Sequence, residues 1–272
     1  MRLGLHCDVR GGYPKALQRA QDLKCEAFQI ITYKRHHRPN STELAAFRSE
    51  FAKSSVRHLV CHVRYLPGLA SKDSHRRSRS VEFLKDELSW SDALGAEYLV
   101  FHLGAYSVDA TKEDGMKWAA KAVSDAVALA SARKVQLVLE TVPGGGRRMG
   151  GSLEELAEFA KLIQGPKLRF CLDTAHAWAQ GYEMDTREGV WRFLGRAHKL
   201  LGAENIPVFH LNDSQAHHGS HREHHAHWGE GRLGTEGLKA LLERDDHKEA
   251  LGILEMPPGK DEANLTYVRG AA

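Results

Sequence analysis

The sequence predicts an α/β fold, a single (β/α)8 TIM barrel, and three observations carry that expectation. A chain of 272 residues suits one such barrel of about 250 residues. Short β-branched or apolar runs alternate with longer helical patterns from end to end, as parallel βαβ units require. Eight such runs can be read, and eight is the number that closes a barrel. An open doubly wound sheet has the same alternation and stays open as an alternative.

The strands read at 2–7, 27–32, 58–62, 98–102, 135–141, 168–173, 207–211 and 250–255. Between them, Ser41-Thr42-Glu43-Leu44 opens a helix, 74–94 is long and amphipathic, and 112–132 is Ala-rich with apolar residues at helical spacing. Ser152-Leu153-Glu154-Glu155 reads as a capping box, hydroxyl and carboxylate satisfying first-turn amides reciprocally. Gly-Ala-Glu closes a helix ahead of a strand at Gly95 and again at Gly202. Nothing reads as a linker, a repeat or a low-complexity tail, so one domain over residues 1–272 is expected.

The formal net charge is +3, which excludes an overwhelming basic field. Charge is instead local: Lys34-Arg35-His36-His37-Arg38, Lys72 to Arg79, and Arg147-Arg148 are dense patches. Cys7, Cys25, Cys61 and Cys171 lack CxxC spacing and read as reduced core thiols. The opening residues turn polar before a signal-peptide core forms, and no apolar run approaches the roughly 20 residues of a membrane helix. A cytoplasmic protein with no membrane association follows as an expectation, and a monomer is the default. Histidine is the outlier, with 17 residues, of which His217, His218, His221, His224, His225 and His227 fall in one short segment.

In such a barrel the chemistry sits at the C-terminal ends of the strands. Strand three ends at His62, four at His102, five at Glu140, six at Asp173, seven at His210 and eight at Glu255. One such residue could be a satisfied core polar group. Six at one rim would be ruinous to bury without compensation, and shared metal ions supply it. Imidazole nitrogen mixed with carboxylate oxygen suits zinc or manganese better than calcium. His176, three residues after Asp173, joins Glu223 and His225 from the loop after strand seven as a second tier of nitrogen and oxygen ligands.

With these residues in view, the chain resembles the endonuclease IV family of apurinic/apyrimidinic endonucleases, which are xylose isomerase-like barrels. Cys171-Leu172-Asp173-Thr174-Ala175-His176-Ala177-Trp178-Ala179-Gln180-Gly181-Tyr182 follows the family's CxDTCHxxAAGY signature. His210-Leu211-Asn212-Asp213-Ser214, with His224-His225 and Gly229-Glu230-Gly231 after it, resembles the HLND…RHxxxGEG segment. Leu139-Glu140-Thr141 before a glycine run, Leu254-Glu255, and Gly4-Leu5-His6 with Gly11-Gly12 are supporting matches, so the likeness covers nearly the whole chain.

The resemblance implies zinc-dependent hydrolysis of the phosphodiester 5′ to an abasic site in double-stranded DNA, leaving a 3′-hydroxyl and a 5′-deoxyribose phosphate, with Glu140 central to catalysis. It implies three Zn2+ per chain, with Mn2+ an option at one or more sites. His62 and His102 would hold one ion and Glu140 would bridge to a second, completed by Asp173, His210 and Glu255. His176, Glu223 and His225 would hold the third, although Glu223 stands where the family has Asp. Further departures are Pro143-Gly144-Gly145-Gly146 for AGQG, Leu103-Gly104-Ala105-Tyr106 for Pro-Gly-Ser-His, Ala175 for Cys, and Arg64-Tyr65-Leu66-Pro67-Gly68 for SYLIN. An Arg and a Tyr of the family's rim loops enter the minor groove, which makes Arg35, Arg38 and Tyr65 the DNA-binding candidates.

Two rivals remain. A single-metal sugar isomerase or epimerase of the same superfamily would use Glu140, Asp173, His210 and Glu255 equally well. It has no need of His62, His102, His176 and His225 together, nor of basic rim loops. A DNA-binding barrel that has lost catalysis is the other, suggested only by Glu223.

Overall fold

The computed structural model of the protein describes residues 1–32, 38–64, 66–132, 134–165 and 167–272. The strands are β1 (Arg2–His6), β2 (Ala27–Ile31), β3 (His58–His62), β4 (Tyr98–Phe101), β5 (Gln136–Glu140), β6 (Arg169–Asp173), β7 (Val208–His210), β8 (Asp213–Ser214), β9 (His225–Ala226) and β10 (Leu251–Leu254). Among the described residues eight of them close a parallel barrel in the order β1-β10-β7-β6-β5-β4-β3-β2. Because β1 pairs with both β2 and β10, the sheet has no free edge and the doubly wound alternative falls. β8 and β9 form a separate antiparallel ribbon that sets Asp213 opposite Ala226 and Ser214 opposite His225.

Helices α1 (Tyr13–Asp22), α2 (Ser41–Lys53), α3 (Ser74–Leu94), α4 (Lys112–Leu129), α5 (Leu153–Leu162), α6 (Thr174–Gln180), α7 (Arg187–Leu201), α8 (Gly234–Leu242) and α9 (Asp261–Ala271) complete the chain. Their starts are chemically marked. Asn40 accepts the Glu43 amide, Asp73 accepts those of His75 and Arg76, and Thr111 and Asp114 form a reciprocal capping box. The box expected at Ser152 is only half formed. Ser152 accepts the Glu155 amide, but the Glu155 carboxylate turns to the Gly150 and Gly151 amides and to Lys112, binding the preceding loop instead. Gly95 ends α3 in the left-handed region at φ 89°, as its position predicts. Gly202 departs: its ψ of 128° leads into a 3-10 turn, Ala203–Asn205, before β7. No helix among the described residues is long and apolar enough to cross a membrane.

The core has two compartments, set by the two-residue period of a strand. Side chains facing outward, such as Phe28, Leu59, Leu99, Leu139 and Phe209, pack beneath the helices. Facing inward, Ala27, Val60, Val100, Val138, Cys171, Val208, Leu251 and Ile253 fill the barrel with a separate apolar plug. Two residues beyond the plug, each of the strands β2, β3, β4, β5, β6, β7 and β10 places its next inward side chain at the C-terminal rim.

Candidate metal centre

Parity builds the rim. Val60 is followed by His62, Val100 by His102, Val138 by Glu140, Cys171 by Asp173, Val208 by His210 and Ile253 by Glu255, each two residues on. Register aligns them: Glu140 lies beside Cys171, and Asp173 beside His210. The same rule places His6 and Gln29, which pair across β1 and β2, in this polar layer.

Glu140 is the hub. Its Oε2 faces His62 Nε2 at 3.0 Å and His102 Nε2 at 2.7 Å, while its Oε1 faces His210 Nδ1 at 2.9 Å and His176 Nδ1 at 3.3 Å. One carboxylate thus spans two groups of donors. His210 Nδ1 lies 2.9 Å from Glu255 Oε2 and 3.9 Å from Asp173 Oδ2. The third group is Asp173 with His176 and His225, the His225 Nε2 lying 3.7 Å from Asp173 Oδ2. Glu223 Oε2 is 3.9 Å from His176 Nε2, on a side chain that is 58% exposed. Arg38 is exposed outside this centre, its guanidinium 3.4 Å from Asp86 and over the Trp90 ring. Arg35 and Tyr65 lie outside the described residues.

Local structure dictates the Asp173–His176 spacing. Asp173 is the N-cap of α6, and its Oδ1 accepts the amide of His176 at 2.7 Å. The cap therefore consumes one carboxylate oxygen and leaves Oδ2 facing the site. Asn212 holds that second oxygen through Nδ2 at 2.7 Å and accepts the Glu255 amide at 2.8 Å. The neighbouring Asp213 has a different task. Its carboxylate accepts the amides of Ser214, Gly229, Gly231 and Leu233, tying down the chain on both sides of β9.

Several imidazoles are oriented from behind by backbone. His62 Nδ1 donates to the Val63 carbonyl at 2.9 Å, His176 Nδ1 to Thr141 at 2.8 Å, and His225 Nδ1 to Glu255 at 3.1 Å. With Nδ1 so engaged, His176 and His225 aim their Nε2 atoms into the site, and both are buried without a hydrogen-bond partner. Such groups cost free energy unless something occupies the space before them.

Charge balance calls for the same occupant. Burial alone would raise the Glu140 carboxyl, but the surrounding imidazoles, His210 and His102 foremost, hold it well below the ordinary range. Glu255 is lowered likewise, chiefly by His210 against its own burial. Burial works against charging His176, yet Asp173 and Glu140 push it up to about 10, and His210 is raised against its own burial by Cys171, Glu140 and Glu255. The carboxylates are anionic and demand cations at their centre. Protons on the imidazoles meet that demand in part, and divalent ions fit the donor set in their place. Cys171 is grouped with Glu140 and His210, but burial pushes its thiol to about 12, so it belongs to the plug.

The centre opens into a cavity of about 400 Å³ whose walls also include His6, Ile31, Val63, Arg64 and Met256. Reading the sequence by residue type overlooked Gln29, Asn212 and the site role of His6, because amides are not ligands by type. A signal existed for Gln29: it is the one polar residue in Ala27-Phe28-Gln29-Ile30-Ile31.

The closed barrel and its polar rim define the class, a xylose isomerase-like TIM barrel, and the family model of that description matches residues 17–270. "Probable endonuclease 4" of Solibacter usitatus is 35% identical over 283 residues, spanning 100% of this chain and 97% of that protein. The crystal structure of endonuclease IV from Thermus thermophilus matches with a TM-score of 0.87 at 32% identity, covering 100% of this chain and 98% of that one. The chain belongs to the endonuclease IV family. A D-tagatose 3-epimerase-like protein has a TM-score of 0.80 at 18% identity, over 100% of this chain and 97% of its own, and shares the fold.

Proposed function

We propose that this protein is a metal-dependent apurinic/apyrimidinic endonuclease of base excision DNA repair. It hydrolyses the phosphodiester 5′ to an abasic site in double-stranded DNA, leaving a 3′-hydroxyl and a 5′-deoxyribose phosphate. The observation that carries the reading is the pair of unpartnered Nε2 atoms on His176 and His225. Glu140, Asp173, His210 and Glu255 alone would serve a single-metal sugar epimerase. The additional imidazoles of His62, His102, His176 and His225 would be surplus in such an enzyme, and they suit a centre of three ions.

In the proposed assignment His62, His102 and Glu140 would hold one ion, and Glu140, Asp173, His210 and Glu255 a second. His176, His225 and Glu223 would hold the third, with Asp173 grouped beside the two imidazoles. Zinc is the proposed occupant, with manganese able to replace it at one or more positions. Once bound, such ions supply positive charge for phosphate oxygens and acidify water for attack at neutral pH. The chain does the rest. Glu140 sets the spacing between neighbouring groups with its two oxygens, and the backbone carbonyls of Val63, Thr141 and Glu255 fix the imidazole rings. Ile31, Val63 and Met256 give the cavity an apolar wall suited to a sugar that has lost its base. Arg35, Arg38 and Tyr65 are proposed to grip the duplex around the extruded nucleotide, an extrusion that costs least where no base is stacked.

The test measures bound metal and strand incision together, on a duplex carrying a single tetrahydrofuran site. Three ions per chain and a cut 5′ to the site are expected, with both lost after exhaustive chelation and regained with zinc. A folded, zinc-loaded protein that leaves the duplex intact overturns the assignment.

A further inference from the structure

Gln29 is wholly buried in a layer where its neighbours carry the chemistry. It stands on β2 two residues after the plug residue Ala27, level with His6 on β1. A primary amide in that place must satisfy one acceptor oxygen and two N–H groups. It does so without using water. Nε2 donates to Glu255 Oε1 and faces His6 Nδ1 at 3.1 Å, while Oε1 lies 2.9 Å from His210 Nε2.

These contacts determine a tautomer. A carboxylate oxygen can only accept, so the amide nitrogen must be the atom turned toward Glu255. The amide oxygen then faces His210, and His210 must present Nε2–H to it. Its lone pair is consequently on Nδ1, the atom that lies 2.9 Å from Glu140 Oε1 and 2.9 Å from Glu255 Oε2. His62, His176 and His225 obtain the equivalent constraint from backbone carbonyls, which no substitution can remove. His210 obtains it from a side chain.

We propose that Gln29 is a positioning residue of the metal centre: it holds His210 in the Nε2–H tautomer and orients Glu255, thereby setting the affinity of the ion these two residues share. The inference rests on the reading of His210 and Glu255 as ligands. Partners of this kind behind a ligating imidazole are typically worth 10–100-fold in metal affinity.

Gln29→Met keeps the length and volume of the side chain and removes all three hydrogen bonds. Metal affinity is measured by competition with a chromophoric zinc chelator, beside ion count and circular dichroism. The expected variant is folded, with one of its ions weakened by about 10–100-fold and the others unchanged. Incision falls in kcat with little change in KM, and excess free zinc restores it. A folded variant with wild-type affinity for every ion overturns the role of Gln29 and leaves the nuclease assignment standing. A wild-type protein that binds no metal overturns both. Should Gln29→Met fail to fold, long-range 15N–1H correlation of the His210 ring in the zinc-loaded wild-type protein decides. A proton on Nε2 supports the inference, and a proton on Nδ1 refutes it.

Discussion

Asp213 offers a quantitative test of how the loop that carries His225 is held. Its carboxylate accepts four backbone amides, at 2.7 Å from Ser214, 3.1 Å from Gly229, 3.0 Å from Gly231 and 3.0 Å from Leu233. Asp213→Ala removes every acceptor at once. Ser214 and Leu233 are buried, and each orphaned amide there costs about 1–3 kcal/mol. Gly229 and Gly231 reach solvent, so their amides regain water and lose about 1 kcal/mol or less each. The sum is about 4 kcal/mol. With an unfolding entropy of about 2.1 cal/mol/K per residue, a chain of this length loses roughly 7 °C in Tm. The assay is thermal unfolding followed by circular dichroism, with chelator present so that ion release does not enter. Gly231→Ala checks the same contact from the other side, since its Cβ would lie 2.3 Å from Asp213 Oδ1. Because Ser214 pairs with His225, metal titration of Asp213→Ala should also show weaker binding of the ion assigned to His176 and His225. A Tm for Asp213→Ala within about 1 °C of wild type would mean that this carboxylate does not anchor the loop.

Two further expectations concern opposite ends of the barrel. His247 is buried, its Nε2 2.8 Å from His198 Nε2 with Asp246 and Arg244 nearby, and burial followed by His198 pushes its pKa down to about 4. The unfolded chain takes up this proton near pH 6.5 and the folded chain does not, so the contribution to stability is complete above that pH and disappears toward pH 4. Urea unfolding with chelator should therefore show Gln at this position (His247→Gln) losing about 2 kcal/mol less than wild type between pH 7 and 4.5; parallel pH profiles would contradict the assignment. At the rim, Arg64 lines the mouth of the cavity and is exposed. Arg64→Ala should leave the ion count unchanged, weaken binding of abasic duplex, and reduce the slope of log affinity against log salt by about 1; an unaltered slope would remove Arg64 from phosphate contact.

How far residue patterns alone reveal this protein depends on whether the signal is local. The barrel strands were legible to within a residue or two at each end, because a short apolar run between helical patterns is a local signal. His62, His102, Glu140, Asp173, His210 and Glu255 were legible as a set because they recur at strand ends. The reading at Ser152 failed by half because the Glu155 carboxylate has distant competitors, the amides of Gly150 and Gly151 and the Lys112 ammonium. The β8–β9 ribbon could not be read at all. Strands of two residues have no periodicity, and the contacts that join them are non-local: the Gln215 amide to the His224 carbonyl, and Asp213 gathering amides from across the loop. Gln29 escaped for another reason: its importance lies in which atoms it faces, and pairing of β1, β2 and β10 determines that.

The succession of plug and rim along the barrel strands has an evolutionary consequence. Seven of the barrel strands give residues of one parity class to two separate tasks, the lower inward position to the apolar plug and the upper one to the polar rim. Exchanging an upper residue leaves the apolar plug intact, so a lineage can rewrite its reaction without first finding a new way to fold. A nuclease family and an epimerase-like protein with 18% identity sharing one barrel at a TM-score of 0.80 is the outcome such a separation permits.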